Sequence, residues 1–263
     1  MKKALTDQRY VGIFAAILFA AAFLGISIFV HDHTRIISNP TYWYLFSSIL
    51  RAVFGMAILF FVRKIYGKTP KQALGFHNTK VALVSAAGFL IFFVYYLFDY
   101  AAGFNTIVGL SAGLLVSKVL LQQITTGFYE ELNYRLLILE GYFYGKPSVG
   151  RKLAYALISF VAFGLIHVIT GWSTNGFLHT GAVGFAFAVI YLNSGNMMLP
   201  MLLHFVYDIF ANLADYVEWN QSLLFVAVNS VFEIMLAIMF LVSFLLLFRK
   251  DQKPKAETSN LLV

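Results

Sequence analysis

Three short motifs place ionisable side chains inside otherwise apolar segments: Glu130-Glu131 with Arg135, Phe163 with His167, and His204 with Asp208. A charged residue inside a membrane helix costs roughly 2.5 to 3.5 kcal/mol on insertion scales, so such residues are typical of functional sites that face a protein-lined cavity. Carboxylates and imidazoles together can activate water, either as general bases or as ligands of a metal ion. The motifs therefore predict a hydrolytic site.

The two adjacent glutamates are predicted to have different roles. Successive helical residues are about 100° apart, so Glu131 and Arg135 share a face and can form an ion pair. Glu130 points roughly a quarter turn away and remains free for chemistry. The catalytic groups predicted in this way are Glu130, His167, His204 and Asp208, with Glu131 and Arg135 in support.

The four predicted catalytic side chains are also candidate ligands for a divalent metal ion, with zinc as the candidate. Two imidazoles and a carboxylate can hold zinc with one position open for water. The chain has no cysteine, so a bound metal must use His, Asp or Glu. Alternatively, Glu130 itself takes a proton from a water molecule that the histidines and Asp208 position. The sequence leaves both routes open.

The composition is typical of a protein embedded in a membrane. Of the 263 residues, 60% are hydrophobic and 12% are charged, whereas soluble domains carry about 25% charged residues. Eight apolar segments approach the ~20 residues that a membrane-crossing helix needs. They lie near 11–30, 43–62, 81–98, 107–139, 153–169, 177–192, 199–213 and 223–248. The predicted fold is an all-α polytopic bundle of about eight transmembrane helices.

One membrane domain is predicted over residues 1–250, followed by a cytoplasmic tail over 251–263 with the composition of a disordered segment. Fifteen of the 19 Lys and Arg residues fall on one predicted side of the membrane, which makes both termini cytoplasmic. The net charge of +7 does not indicate a nucleic-acid partner, because the basic residues lie between apolar segments. Without long soluble loops, the chain fits a small enzyme of the bacterial plasma membrane, and its oligomeric state is left open.

Two helix faces carry patterns that predict packing and hydration. In the sixth segment, small residues recur every fourth position and should let a neighbouring helix approach closely: Gly176, Thr180, Gly184 and Ala188. In the fourth segment, a polar stripe predicts one hydrated side: Lys118, Gln122, Thr125, Tyr129 and Asn133. Glu233, deep in the eighth segment, is expected to pair with Arg51 or Lys118.

Together, the three motifs resemble those of the CAAX-processing and bacteriocin-protection enzymes, the CPBP or Abi family of intramembrane proteases. That family has Glu-Glu-x-x-x-Arg, Phe-x-x-x-His and His-x-x-x-Asn or Asp in this order on successive membrane helices. The resemblance covers about residues 118 to 213. It implies hydrolysis of a peptide bond in a membrane-associated peptide or protein, with Glu130 activating water and His167 and His204 positioning it or binding a metal.

Three other interpretations come from different functional classes. Ser111 in Gly109-Leu110-Ser111-Ala112-Gly113 fits the Gly-x-Ser pattern of a rhomboid-like serine protease, with His167 as the base. A non-catalytic membrane immunity or scaffold protein can have the same fold without cutting a substrate. A transporter can use intramembrane charges as a relay, although the internal repeats typical of transporters are not visible in the sequence.

Overall fold

The computed structural model describes residues 7–34, 38–144 and 147–249, so the predicted tail lies outside the described residues. The first part of the chain forms five helices, which are α1 (Gln8–His33), α2 (Pro40–Tyr66), α3 (Pro70–Ala73), α4 (Thr79–Ser85) and α5 (Ala87–Gly103). A two-stranded antiparallel ribbon pairs β1 (Phe104–Ile107) with β2 (Val217–Trp219). The all-α prediction is confirmed, with this ribbon as a small addition.

The segment that carries the first motif is one long helix with two π-helical stretches, here called the interrupted helix. Its parts are α6 (Ala112–Leu114), π1 (Leu115–Leu121), α7 (Gln122–Glu131), π2 (Leu132–Leu137) and α8 (Ile138–Phe143). The predicted start of this span at Ile107 is wrong. Ile107 ends β1, and Gly109 follows with a φ of 70°, a left-handed conformation that favours glycine and breaks the helix.

The rest of the chain supplies the helices of the second and third motifs. They are α9 (Val149–Val168), α10 (Thr174–Ser194), α11 (Met198–Leu213), a 3-10 turn (Ala214–Tyr216) before β2, α12 (Leu223–Asn229) and α13 (Phe232–Leu247). Their boundaries follow local sequence signals. The Ser148 side chain caps α9 by accepting from the Arg151 amide, Ser173 caps α10 in the same way at Gly176, and Gly195 ends α10 at a φ of 69°.

Within the described residues, five helices are long and apolar enough to cross a membrane, and six if the pair α4 and α5, bent by 59°, is one span. The five are α1, α2, α9, α10 and the segment 223–247. The other two predicted spans are helical but differ in form. The interrupted helix is divided into five parts, and α11 has only 16 residues. The count of eight spans stays a prediction.

Polar contacts join several chain segments at one end of the bundle. Lys68, after α2, lies 2.6 Å from the carboxylate of Glu140 in α8. The Arg151 guanidinium, near the start of α9, donates to three backbone carbonyl groups at the end of the interrupted helix. At the start of α1, Gln8 donates to the Ile65 carbonyl of α2. The start of α1, the end of α2, the end of the interrupted helix and the start of α9 therefore lie together.

Helices α9 and α10 pack with very little space between them, as the small-residue stripe predicts. A Cβ atom added at Gly184 would lie 2.8 Å from the Cβ atom of Phe163, and one added at Gly164 would lie 2.8 Å from the carbonyl oxygen of Phe177. Such contacts leave no room for a larger residue. Because Phe163 belongs to the second motif, this close approach also fixes part of the candidate site.

The Gly184→Val variant tests this packing. We expect it to lower the thermal stability of the purified protein, because the new side chain must displace Phe163. The matched control is Gly25→Val, since a Cβ atom at Gly25 in α1 meets nothing within 4 Å. Heat-induced aggregation in detergent measures both variants, and an equal loss of stability in the two would contradict the packing role.

Candidate active site

The structure brings the four predicted catalytic side chains together from three different helices. Glu130 lies on α7, His167 near the end of α9, and His204 and Asp208 on α11. The Oε2 atom of Glu130 is 4.0 Å from Nε2 of His167 and 3.8 Å from Nε2 of His204. Nε2 of His204 is in turn 3.3 Å from Oδ2 of Asp208. Two carboxylates and two imidazoles therefore meet in one place.

The adjacent glutamates separate as the helical geometry predicts. The Glu131 side chain is fully buried, with its Oε1 atom 3.1 Å from Nη1 of Arg135, which is also fully buried. The Glu130 side chain keeps 14% exposure and turns toward the histidines. Glu130 is therefore the glutamate of this pair that a water molecule or substrate can reach.

Glu131 also fixes the ring of His204, a contact that the sequence did not predict. Nδ1 of His204 lies 2.8 Å from Oε1 of Glu131. Because a carboxylate paired with Arg135 can only accept, the hydrogen must be on Nδ1 of His204. This bond leaves Nε2 of His204 directed toward Glu130 and Asp208.

A backbone bond orients His167 in a similar way. Nδ1 of His167 lies 2.8 Å from the carbonyl oxygen of Phe163, one helical turn earlier. A carbonyl oxygen only accepts, so Nδ1 carries the hydrogen and Nε2 of the neutral ring is an acceptor. That Nε2 faces Glu130. Both imidazoles thus present Nε2 to the same carboxylate.

Phe163 has a second role that the sequence did not indicate. The centre of the Arg135 guanidinium lies 4.1 Å from the centroid of its ring, and the ring of Phe187 covers the same guanidinium at 5.4 Å. Cation–π contacts of this kind stabilise a desolvated cation by about 2 kcal/mol. The Phe163 ring is also 4.4 Å from that of His167. The Phe of the second motif therefore joins the buried Arg135 to the imidazoles.

The family model described as type II CAAX prenyl endopeptidase Rce1-like matches residues 112–210. The match covers less than half of the chain. The CPBP resemblance is thereby confirmed, and the match supports a protease in an integral membrane protein. No curated protein and no solved structure matches the chain. The Rce1-like region runs from α6 into α11 and contains all three motifs, whereas α1 to α5 lie outside it.

A cavity of about 520 Å³ begins at the reactive groups of the Rce1-like region and is also lined by α1 and α2. Glu130, His167 and Asp208 line it. Most of its other lining side chains are polar: Tyr44, Arg51, Lys118, Gln122, Gln123, Thr126, Tyr129, Tyr134 and Asn212. The volume is sufficient for a stretch of peptide.

The predicted polar stripe of the interrupted helix is correct only in part. Lys118, Gln122 and Tyr129 line the cavity, but Asn133 is fully buried and donates to the carbonyl of Ala16 in α1. Asn133 lies in π2, where hydrogen bonds close from residue i to i+5 rather than i+4. The wider turn brings Tyr134 to the cavity in its place.

The predicted metal ligands are of the right chemical types, but their arrangement does not fit a bound ion. Among residues 7–34, 38–144 and 147–249, no group of three or more His, Cys, Asp or Glu side chains could hold a metal ion. We therefore assign no chemical step to a metal. The binding of a divalent metal ion, with zinc as the candidate, stays a prediction. Its predicted ligands are Glu130, His167, His204 and Asp208.

The structure gives Ser111 a helix-capping role. The Ser111 hydroxyl accepts from the amide of Leu114 and caps α6, while both nitrogens of His167 face other partners. These contacts do not support the serine-protease interpretation.

The predicted ion pair of Glu233 is wrong for the described part of the chain. Lys118 pairs instead with Asp215, with Nζ 2.6 Å from Oδ2. Arg51 donates to the hydroxyl of Ser47, and none of the ion pairs between described residues includes Glu233. The side chain of Glu233 is exposed.

Proposed function

We propose that the chain is an intramembrane endopeptidase that hydrolyses a peptide bond in a membrane-associated peptide or protein. The observation that supports this most is the environment of Glu130. Its Oε2 atom is buried and has no hydrogen-bond partner among the described residues, while two imidazole nitrogens lie 3.8 and 4.0 Å away. These separations are too long for direct hydrogen bonds, but one water molecule can contact both groups.

In the proposed reaction, Glu130 is the general base. A water molecule held between Glu130 and Nε2 of His167 loses a proton to the carboxylate and attacks the carbonyl carbon of the substrate. Glu130 then gives this proton to the nitrogen of the leaving amine as the carbon–nitrogen bond breaks. One water is consumed, and a new carboxyl group and a new amine result.

His204 is placed to stabilise the negative charge that develops on the carbonyl oxygen. Carboxylates flank both of its ring nitrogens, Glu131 at 2.8 Å and Asp208 at 3.3 Å, which favours a ring with a hydrogen on each nitrogen. Nδ1–H then stays bound to Glu131, and Nε2–H is available to the oxyanion. In this scheme Arg135 and Glu131 act as positioning residues for His204.

The test of this proposal uses purified protein in lipid nanodiscs. The substrates are two membrane-soluble peptides ending in Cys-aliphatic-aliphatic-X, one prenylated at the cysteine and one not. Mass spectrometry should detect two fragments and identify the bond that is cut. Absence of cleavage of both peptides by the folded wild-type protein would contradict the CAAX-type substrate.

Treatment with a chelator separates the two routes to hydrolysis. Because no described side-chain group fits a bound ion, we expect cleavage to continue after incubation with phenanthroline or EDTA. A zinc protease treated in parallel shows that chelation is complete. Loss of cleavage that added zinc restores would instead show that the reaction needs a metal ion, with Glu130, His167, His204 and Asp208 as its candidate ligands.

We further propose that both termini are cytoplasmic and that the protein belongs to a bacterial plasma membrane. Basic residues are concentrated at the end of the bundle where α1 begins and α2 ends, for example Arg63, Lys64 and Lys68. The positive-inside rule assigns such an end to the cytoplasm. Labelling of single cysteines introduced at these positions in intact cells tests the orientation.

A further inference from the structure

The cavity contains a second charged group that the proposed reaction does not use. Arg51, on α2, lines the same cavity as Glu130, His167 and Asp208. It lies outside the Rce1-like region, so the family motifs do not account for it. None of the ion pairs between described residues includes Arg51, which places every described carboxylate beyond ion-pair distance.

The hydrogen-bonding capacity of Arg51 is mostly unused. A guanidinium has five N–H donors. Within the described part of the chain, only Nη1 donates, to the hydroxyl and carbonyl of the neighbouring Ser47. The Nε atom is buried and has no partner. The ring of Phe23 lies 5.1 Å from the centre of the guanidinium and holds it on one side.

Lys118, the other basic side chain that lines the cavity, already has a charged partner. Its ammonium group lies 2.6 Å from Asp215 and 4.8 Å from the centroid of the Tyr216 ring. Its charge is therefore already neutralised by a partner. Arg51 is arranged to receive an anion, whereas Lys118 is not.

Arg51 is half-buried, and a buried donor such as its Nε–H is costly unless a partner satisfies it. Glu130 and Asp208 act on Arg51 only through space, since neither is within 4.0 Å. A planar guanidinium matches a carboxylate in shape and binds it through two parallel hydrogen bonds. A planar anion that enters the cavity would satisfy these donors.

We propose that Arg51 binds the free C-terminal carboxylate of the substrate. This inference rests on the proposed function. A peptide cut close to its C-terminus brings a carboxylate into the same cavity as the scissile bond, and Arg51 is the cation available to hold it. Arg51 would then select substrates by their chain end and position the scissile bond at Glu130.

The test compares two prenylated Cys-aliphatic-aliphatic-Met peptides that differ only at the chain end, one a free acid and one an amide. For each peptide, the dissociation constant and kcat/KM are measured. The proteins compared are the wild type, Arg51→Gln, Arg51→Lys and Lys118→Gln. A hydrogen-bonded charge pair corresponds to about tenfold to hundredfold in affinity. We expect the wild type to prefer the acid by about that factor.

The effect of each variant on the preference for the acid should depend on whether the replaced cation already has a partner in the protein. We expect Arg51→Gln to bind acid and amide equally, and Arg51→Lys to keep a smaller preference for the acid, because it retains the charge without the planar fork. Lys118→Gln, the matched control, should keep the wild-type ratio. If Arg51→Gln does not fold, the wild-type ratio and Arg51→Lys still decide the question.

Several outcomes would overturn the proposal. They are equal binding of acid and amide by the wild type, an unchanged acid preference in Arg51→Gln, and an equal fall of kcat for both peptides in Arg51→Gln. The last result would mean that Arg51 acts on the reacting carbonyl. Failure of the proposed function is distinguishable, because the folded wild type would then cleave neither peptide, whereas the dissociation constants of acid and amide would still report on Arg51.

Discussion

Replacement of Glu130 by Gln is expected to reduce peptide cleavage by about 10²- to 10⁴-fold, the usual contribution of a general base. The amide has nearly the size of the carboxylate, so the cavity keeps its shape, but an amide cannot take a proton from water. Because Oε2 of Glu130 has no hydrogen-bond partner in the described residues, the change breaks no hydrogen bond of that atom and alters only its longer contacts with His204 and His167, at 3.8 and 4.0 Å. We therefore expect the folded yield and thermal stability to stay close to those of the wild type.

The same substitution at Glu233 provides the matched control for Glu130→Gln. Glu233 also lies in an apolar helix, but its side chain is exposed and does not line the cavity. Glu233→Gln should keep wild-type cleavage, measured with the same peptides in nanodiscs. If Glu130→Gln cleaves like the wild type, or leaves a cellular phenotype unchanged at normal expression, the non-catalytic immunity or scaffold interpretation becomes the better one.

Replacement of Arg135 by Leu is expected to give the largest loss of stability. Removing one partner of a buried ion pair typically lowers the free energy of unfolding by about 3 to 5 kcal/mol, because the other charge stays buried and unpaired. Here Glu131 would be left fully buried with only His204 as a partner. The contacts of the guanidinium with Phe163 and Phe187 would also be lost. Unfolding in detergent, followed by heat or denaturant, measures the change.

Two further variants separate the buried charge from general effects of a new leucine. Arg63→Leu is the control, since Arg63 is exposed near the end of α2. It should change stability little. The double variant Glu131→Leu with Arg135→Leu removes both charges and should recover part of the stability. It should not recover cleavage, because Nδ1 of His204 has lost its acceptor. Equal stability of Arg135→Leu and Arg63→Leu would contradict this account.

The sequence by itself determined the apolar helices, the chemical groups of the site and one of its internal contacts. Helices could be predicted because length and apolarity are local properties of a segment. The pair of Glu131 and Arg135 could also be predicted, since residues four apart on one helix are neighbours wherever that helix packs. For the same reason, Glu130 could be separated from Glu131 before any tertiary contact was known.

The tertiary structure alone decided which groups from different helices meet. The bond from His204 to Glu131 joins residues 73 positions apart, and the pair of Lys118 and Asp215 joins residues 97 apart. No periodicity encodes such contacts. Asn133 lies in a π-helical turn and donates to the carbonyl of Ala16 in α1, so the α-helical pattern assigned that residue to the wrong face. The position of Arg51 in the cavity also depends on tertiary packing. Helix α2 packs beside α7 and brings this cation, which lies outside the three motifs, to the cavity of the reactive groups.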